Sequence, residues 1–384
     1  MLRGRAILAA AILALAASHG CPAAAAEDAK PVARSSGNKV VIGYVFPRKG
    51  RLPEEPIRGD LLTHINFAFA NIKNGEIVAE RPDDPANIAA LTALRKTWPH
   101  LKVLISVGGW SWSGGFSDMA LSKASRRKFI DSAVAFLRRH KLDGLDLDWE
   151  YPGLPGAGNT HRPEDKKNFT LLLAETRKAL DTAQKQVGRR YLLTIAAGAS
   201  ASFLEHTEMR KAQRYLDYVN LMTYDFFVEG GGKSGHHSNL YPSAFSPEAP
   251  SGETSVNAFL RAGVPSRKLV LGVPFYGRGW KGTKPENNGL YQQAAGAGGG
   301  FTWNNLVQSY IGKDGYTRWW DTEAKSPYLW KADEGRVVTY DDPDSLREKC
   351  LFIKKRKLAG AMFWEYTGDD AGHTLLRSLH GGLN

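Results

Sequence analysis

Asp143-Gly-Leu-Asp-Leu-Asp-Trp-Glu-Tyr-Pro152 is the stretch on which the reading of this chain turns. From Gly144 to Glu150 it alternates with period two. As a strand it sets Asp146, Asp148 and Glu150 on one face and Leu145, Leu147 and Trp149 on the other. At about 3.3 Å per residue, alternate Cα atoms stand roughly 6.5–7 Å apart. Carboxyl groups that close cannot all ionise cheaply. Like charge and desolvation raise at least one pKa, and protons must be shared. A carboxylic acid kept protonated near neutral pH is what general-acid chemistry needs. A solvated strand face and an oxygen-rich hard-cation site are two other readings of such a row. The apolar flanks and the Trp149-Glu150-Tyr151-Pro152 ending fit both poorly.

Apolar runs recur on either side. Residues 39–46, 64–70 and 102–108 read as buried strands one to three, with the acidic stretch as the fourth. Residues 191–197, 218–224, 268–275 and 360–364 read as strands five to eight. Asn74-Gly75 marks a hairpin turn. Helical patterns cover about 84–97, 125–140, 163–186 and 253–262, and a last helix closes the chain. Near-continuous apolar strands alternating with helices predict a (β/α)8 TIM barrel of class α/β. The spacing breaks between strands seven and eight. Residues 280–340 do not read as one crossover helix. They predict a small α+β insertion, with strand-like pieces at 316–320 and 336–340 and a Gly/Ala loop at 294–300. The barrel is then built from 39–279 and 341–384.

Residues 1–26 read as a secretory signal peptide. Met1-Leu-Arg-Gly-Arg5 is basic, 6–17 is almost all Ala, Leu and Ile, and Ala24-Ala-Ala26 precedes Glu27 as a cleavage site. The apolar run is too short to span a bilayer. Residues 27–38 read as a loose leader. The expected location is therefore secreted or periplasmic, with no membrane attachment after cleavage. Cleavage would remove Cys21 and leave Cys350 alone, so no intramolecular disulfide is expected. The formal net charge is +12, and +10 without Arg3 and Arg5. The cations are scattered; the densest run, Lys354-Lys355-Arg356-Lys357, suits a helix end. Nucleic acid is not an expected partner. The run 277–282 formally matches a dinucleotide fingerprint but opens no helix. His236-His237 lacks a zinc-spaced partner, which leaves a loop or substrate-side role. No metal and no cofactor are expected.

Active sites of such barrels lie at the C-terminal strand ends. Here those ends carry Tyr44, Phe69, Ser106, Trp110, Glu150, Tyr151, Met222, Tyr224, Asp225, Tyr276, Arg278 and Trp364. Pyranose rings present flat C–H faces that stack on aromatic faces. As a set, these rings point to a sugar polymer; any single one also fits a core aromatic.

At this point the chain resembles a known family. The acidic stretch looks like the Asp-x-x-Asp-x-Asp-x-Glu signature of family 18 glycoside hydrolases, the chitinase family. Ser106-Val-Gly-Gly109, Met222-Thr-Tyr-Asp225, Tyr276-Gly-Arg278 and Phe363-Trp364-Glu365 are similar to its other strand-end motifs. The insertion resembles that of the deep-cleft subfamily. The resemblance implies a monomeric chitinase acting on chitin and chito-oligosaccharides by a retaining, substrate-assisted mechanism. By that resemblance Glu150 is general acid and then base, and Asp148 stabilises an oxazolinium ion. Asp146 shares a proton with Asp148, and Tyr224 orients the acetamido oxygen. Trp364 would be the floor. Tyr44, Phe69, Trp110, Tyr151, Met222, Asp225, Tyr276 and Arg278 are the other expected substrate contacts. The resemblance also implies cis peptides at Ala68–Phe69, Glu150–Tyr151 and Trp364–Glu365. One departure is the loop Phe226-Phe-Val-Glu-Gly-Gly-Gly232, which lacks the Trp frequent in relatives. Aglycone-side stacking is then weaker or comes from elsewhere. Two alternatives remain: an endo-β-N-acetylglucosaminidase on N-glycans, and a non-catalytic chitin-binding lectin. The lectins lose the acid, whereas Glu150 is present.

Overall fold

The computed structural model describes residues 39–229 and 232–384; the expected signal peptide (1–26) and leader (27–38) lie outside the described residues. In chain order come β1 (Val40–Val45), β2 (His64–Lys73), β3 (Glu76–Ala79), β4 (Lys102–Gly108) and β5 (Gly144–Asp148). β6 (Leu192–Gly198), β7 (Tyr218–Met222) and β8 (Leu269–Pro274) follow. The chain then makes β9 (Tyr276–Lys281), β10 (Gly296–Thr302), β11 (Thr317–Asp321), β12 (Ser326–Lys331) and β13 (Arg336–Thr339) before β14 (Gly360–Trp364). Parallel pairing runs β1-β14-β8-β7-β6-β5-β4-β2, and β1 pairs back to β2, so eight strands close a barrel. The fold is a (β/α)8 TIM barrel with an α+β insertion between its seventh and eighth strands. Barrel strands are covered on both faces, which is why β1 and β8 are buried at every residue.

Helices cover the outside where the sequence offers caps. They include α1 (Asp84–Ala93), α2 (Phe116–Leu121), α3 (Lys123–Arg139) and α4 (Asp165–Val187). Ser122 starts α3 by a capping box with Ser125, and Gly188 ends α4 in the left-handed conformation at φ 68°. Two short helices, α5 (Ala201–Glu205) and α6 (Met209–Ala212), precede α7 (Gly252–Arg261), which Ser251 and Thr254 cap. The insertion holds α8 (Trp303–Ser309). Asp342 and Pro343 open α9 (Pro343–Lys355), and α10 (Thr374–Leu383) packs beside it. Asn74-Gly75 turns β2 into β3 with φ of 52° and 77°, the positive pair that this dipeptide tolerates. Among the described residues no helix is long and apolar enough to cross a membrane.

Two sequence expectations change. The acidic strand does not run through Glu150 but stops at Asp148. Trp149 leaves the ladder to stack on Phe116 at 5.2 Å, with Phe169 edge-on at 6.0 Å. The Glu150 N–H then donates to Ser113 Oγ at 2.9 Å instead of to a neighbouring strand. The Gly/Ala loop at 294–300 is largely strand: β10 pairs antiparallel with β9, with a register shift between Ala297 and Gly299. A Cβ on Gly298 would stand 2.6 Å from the Trp280 nitrogen, so the close pairing needs glycine. Low β-propensity hid a strand that its neighbour's backbone holds.

Candidate active site

Asp146 lies under the cleft, fully buried. Its Oδ2 accepts from Tyr44 Oη at 2.9 Å and Ser106 Oγ at 2.7 Å; its Oδ1 accepts from Thr194 Oγ1 and from Asn220 Nδ2 at 3.3 Å. Those donors come from β1, β4, β6 and β7, so the barrel itself closes round this carboxylate. Burial still pushes Asp146 up, and the four bonds offset that in part. The direct proton sharing expected between Asp146 and Asp148 is not seen as a hydrogen bond. Both Asp146 oxygens are occupied by other donors, and Asp148 Oδ1 is buried with no hydrogen-bond partner among the described residues. Burial first, then the charges of Glu150 and Asp146, raise Asp148 well above the usual carboxylate range.

Glu150 sits just past the strand end and is nearly buried. Burial lifts its pKa to about 7; a hydrogen bond with Tyr151 opposes this, and the negative charge of Asp225 adds to it. Tyr224 is half-buried, and desolvation together with the neighbouring Asp148, Asp225 and Glu150 raises its pKa strongly. It stays a neutral phenol, and its O–H donates weakly to the Met362 thioether at 3.8 Å. The peptides Ala68–Phe69, Glu150–Tyr151 and Trp364–Glu365 are all cis.

Asp225 behaves differently. Its backbone is in the left-handed region at φ 59°, an uncommon place for a non-glycine residue. Oδ1 accepts from Tyr276 Oη at 2.8 Å and Arg278 Nε at 2.9 Å, while Oδ2 accepts from Arg278 Nη2 at 2.8 Å. His237 Nδ1 is 3.6 Å from Oδ1. Desolvation pushes this carboxyl up, but His237 and Arg278 outweigh it and hold it well below the usual range. Arg278 also donates through Nη1 to Glu229 at 2.8 Å. His236 faces Asp321 of the insertion at 3.3 Å. The two histidines thus stand between the insertion and the cleft. Among the described residues no cluster of His, Cys, Asp or Glu is placed to hold a metal.

Every expected site residue except Asp146 lines one cleft of about 1490 Å³. Trp364 lines it, stacked with Phe69 at 5.4 Å and 18°, and flanked by Tyr44 and Phe46, each at 5.9 Å. Trp110 stands at the rim, 55 % exposed. The cleft also takes in Phe46, Arg81, Trp112 and Glu229, which sequence reasoning left out. Phe46 and Trp112 sit beside expected strand-end residues and were within reach of that argument. Arg81 and Glu229 lie in loops with no local signal.

A family model described as glycosyl hydrolases family 18 matches residues 40–369. Chitinase A1 of Niallia circulans is 45% identical over 369 residues, covering 80% of this chain and 53% of that protein. The chain therefore spans about half the length of that relative. A solved family 18 N-acetylglucosaminidase from Paenibacillus barengoltzii superposes with a TM-score of 0.85 at 45% identity, over 90% of this chain and 100% of that one. Chitinase ChiA74 from Bacillus thuringiensis has a TM-score of 0.85 at 36% identity, over 90% of this chain and 70% of that one. The family match leaves no barrel strand outside it: the chain belongs to the glycosyl hydrolases of family 18.

Proposed function

We propose that this chain is a chitinase that hydrolyses β-1,4-linked N-acetylglucosamine chains with retention, using the substrate's own acetamido group as nucleophile. The observation that carries the reading is Asp148 Oδ1, a buried oxygen with no hydrogen-bond partner among the described residues, beside Glu150, whose pKa burial raises to about 7. An acceptor left bare at that depth is costly unless a ligand donates to it. The acetamido N–H of a sugar seated on Trp364 is such a donor.

Glu150 gives its proton to the glycosidic oxygen as the C1–O bond breaks. The acetamido carbonyl oxygen bonds to C1 and forms a cyclic oxazolinium ion. Asp148 holds the N–H, and growing positive charge in the ring favours its ionised form. Tyr224, kept a neutral phenol, donates to the acetamido oxygen and aims it at C1. Water then attacks C1, loses a proton to Glu150, and restores the acetamide with retention. Asp225 is a poor nucleophile here, because Arg278 and Tyr276 occupy both its oxygens.

The test is partly acetylated chitosan. The sugar that gives up its glycosidic bond becomes the new reducing end, and under this reading it carries an acetyl group. Fully deacetylated chitosan resists cleavage, and a thiazoline mimic of the oxazoline inhibits strongly. Abundant glucosamine at the new reducing ends would overturn substrate assistance and bring Asp225 back as nucleophile. A second reading, release of single N-acetylglucosamine units, is favoured by the Paenibacillus barengoltzii neighbour. Export is part of the proposal: the basic and apolar segment 1–26 supports it. The measurement is the mass of the protein recovered outside the cytoplasm, which should begin at Glu27.

A further inference from the structure

The segments after β1, β3 and β4 carry Phe46, Arg81 and Trp112 into the cleft. In the barrel order they surround β2, which stands across the ring from β7 and its Asp225. They therefore line the side of the cleft opposite Asp225. The Arg81 guanidinium carbon is 4.6 Å from the centre of the Phe46 ring and 5.5 Å from that of Trp112. Its Nη1 donates to the Pro47 carbonyl at 2.9 Å, and its backbone N–H donates to Asp84 Oδ2 at 2.8 Å. The head group is tied through Nη1 and lies against two rings, while the backbone bond anchors the residue itself.

A planar guanidinium occupies an aromatic face much as a sugar does. Phe46 is also hemmed in by Phe69 at 6.3 Å and Trp364 at 5.9 Å. A chain seated on Trp364 therefore meets no free ring at Phe46. Trp110, at 55 % exposure, keeps an open ring by contrast. Among the described residues Nε and Nη2 of Arg81 make no hydrogen bond, so both have N–H groups left for sugar hydroxyls. We propose that Arg81 is a specificity-determining residue that ends the sugar track on this side. A chain then enters with its terminal sugar against the guanidinium and is cut a short, fixed distance from that terminus. The inference rests on the chain-cleaving reading above and names its substrate position: the ends of N-acetylglucosamine chains.

End-labelled chitohexaose tests this, with products resolved at early times for the wild type, Arg81→Ala and Arg81→Gln. The second variant keeps a flat polar head and disturbs packing least. One short product should dominate in the wild type. In both variants the share of longer products should rise about 3- to 10-fold, the size of losing one or two such hydrogen bonds. A merely structural role for Arg81 would change rate or stability and leave the product pattern alone. An unchanged pattern in active variants overturns the assignment of Arg81 and leaves the chitinase reading standing. Failure of the wild type to cut chitohexaose overturns that reading and this inference with it.

Discussion

Glu150 and Asp225 share one cleft, the first buried and the second open to solvent, and they titrate in opposite directions. Desolvation pushes each of them up. Glu150 meets only carboxylates and a phenol, so burial wins and its pKa rises to about 7. Asp225 meets Arg278, which reaches it from β9, the first strand of the insertion's sheet. His237 and the two charge-assisted bonds from Arg278 then outweigh desolvation. One cleft thus holds an acid where only carboxyls and a phenol meet, and an anion where a histidine and an arginine reach in. The anion in turn helps the acid, since the charge of Asp225 is among the causes that raise Glu150.

The contrast is broken most severely on the acid side. Glu150→Gln keeps size and shape but cannot donate, so kcat should fall about 10²- to 10⁴-fold. Binding of chito-oligosaccharides, followed by calorimetry, should persist. Wild-type turnover in the pure variant would remove Glu150 from the role.

On the anion side, Arg278→Met strands Asp225 and Glu229 without their cation. The pair keeps 26 % and 35 % of its side-chain surface, so the cost lies below that of a fully buried bridge. A loss of about 1–3 kcal/mol is expected, read as a lower urea midpoint at constant slope. An unchanged midpoint would mean that Arg278 contributes nothing to holding the junction.

The smallest effect sharpens the link between the two groups. Glu150 must be protonated to donate, so kcat/KM should decline as pH rises through about 7. Asp225→Asn removes one upward push on Glu150 and leaves the positive charge of Arg278 balanced by Glu229 alone. The alkaline limb should move to lower pH, by less than about 1 pH unit. A limb that stays in place or moves up would break the coupling.

Much of this was legible in the chain. The eight apolar strands, the Asn74-Gly75 hairpin and the strand-end residues follow from periodicity and turn chemistry, which are local. Arg81 and Glu229 were not legible, because a loop residue shows its role only through what it meets. The β10 strand was hidden for a related reason: its glycines carry no strand signal, and pairing with β9 holds it.

The alternation of Asp146, Asp148 and Glu150 was enough to set carboxyls on one side of a strand, because the pleat has period two. It was not enough to say which of them holds a proton. Asp146 is tied by Tyr44, Ser106, Thr194 and Asn220, Asp148 Oδ1 is left bare, and Asp225 is claimed by Arg278. Those partners come from other strands, far away along the chain. A strand's facing is decided by its own residues; a pKa sums over every charge and dipole that folding brings near. Only the closed barrel and its insertion assemble that sum.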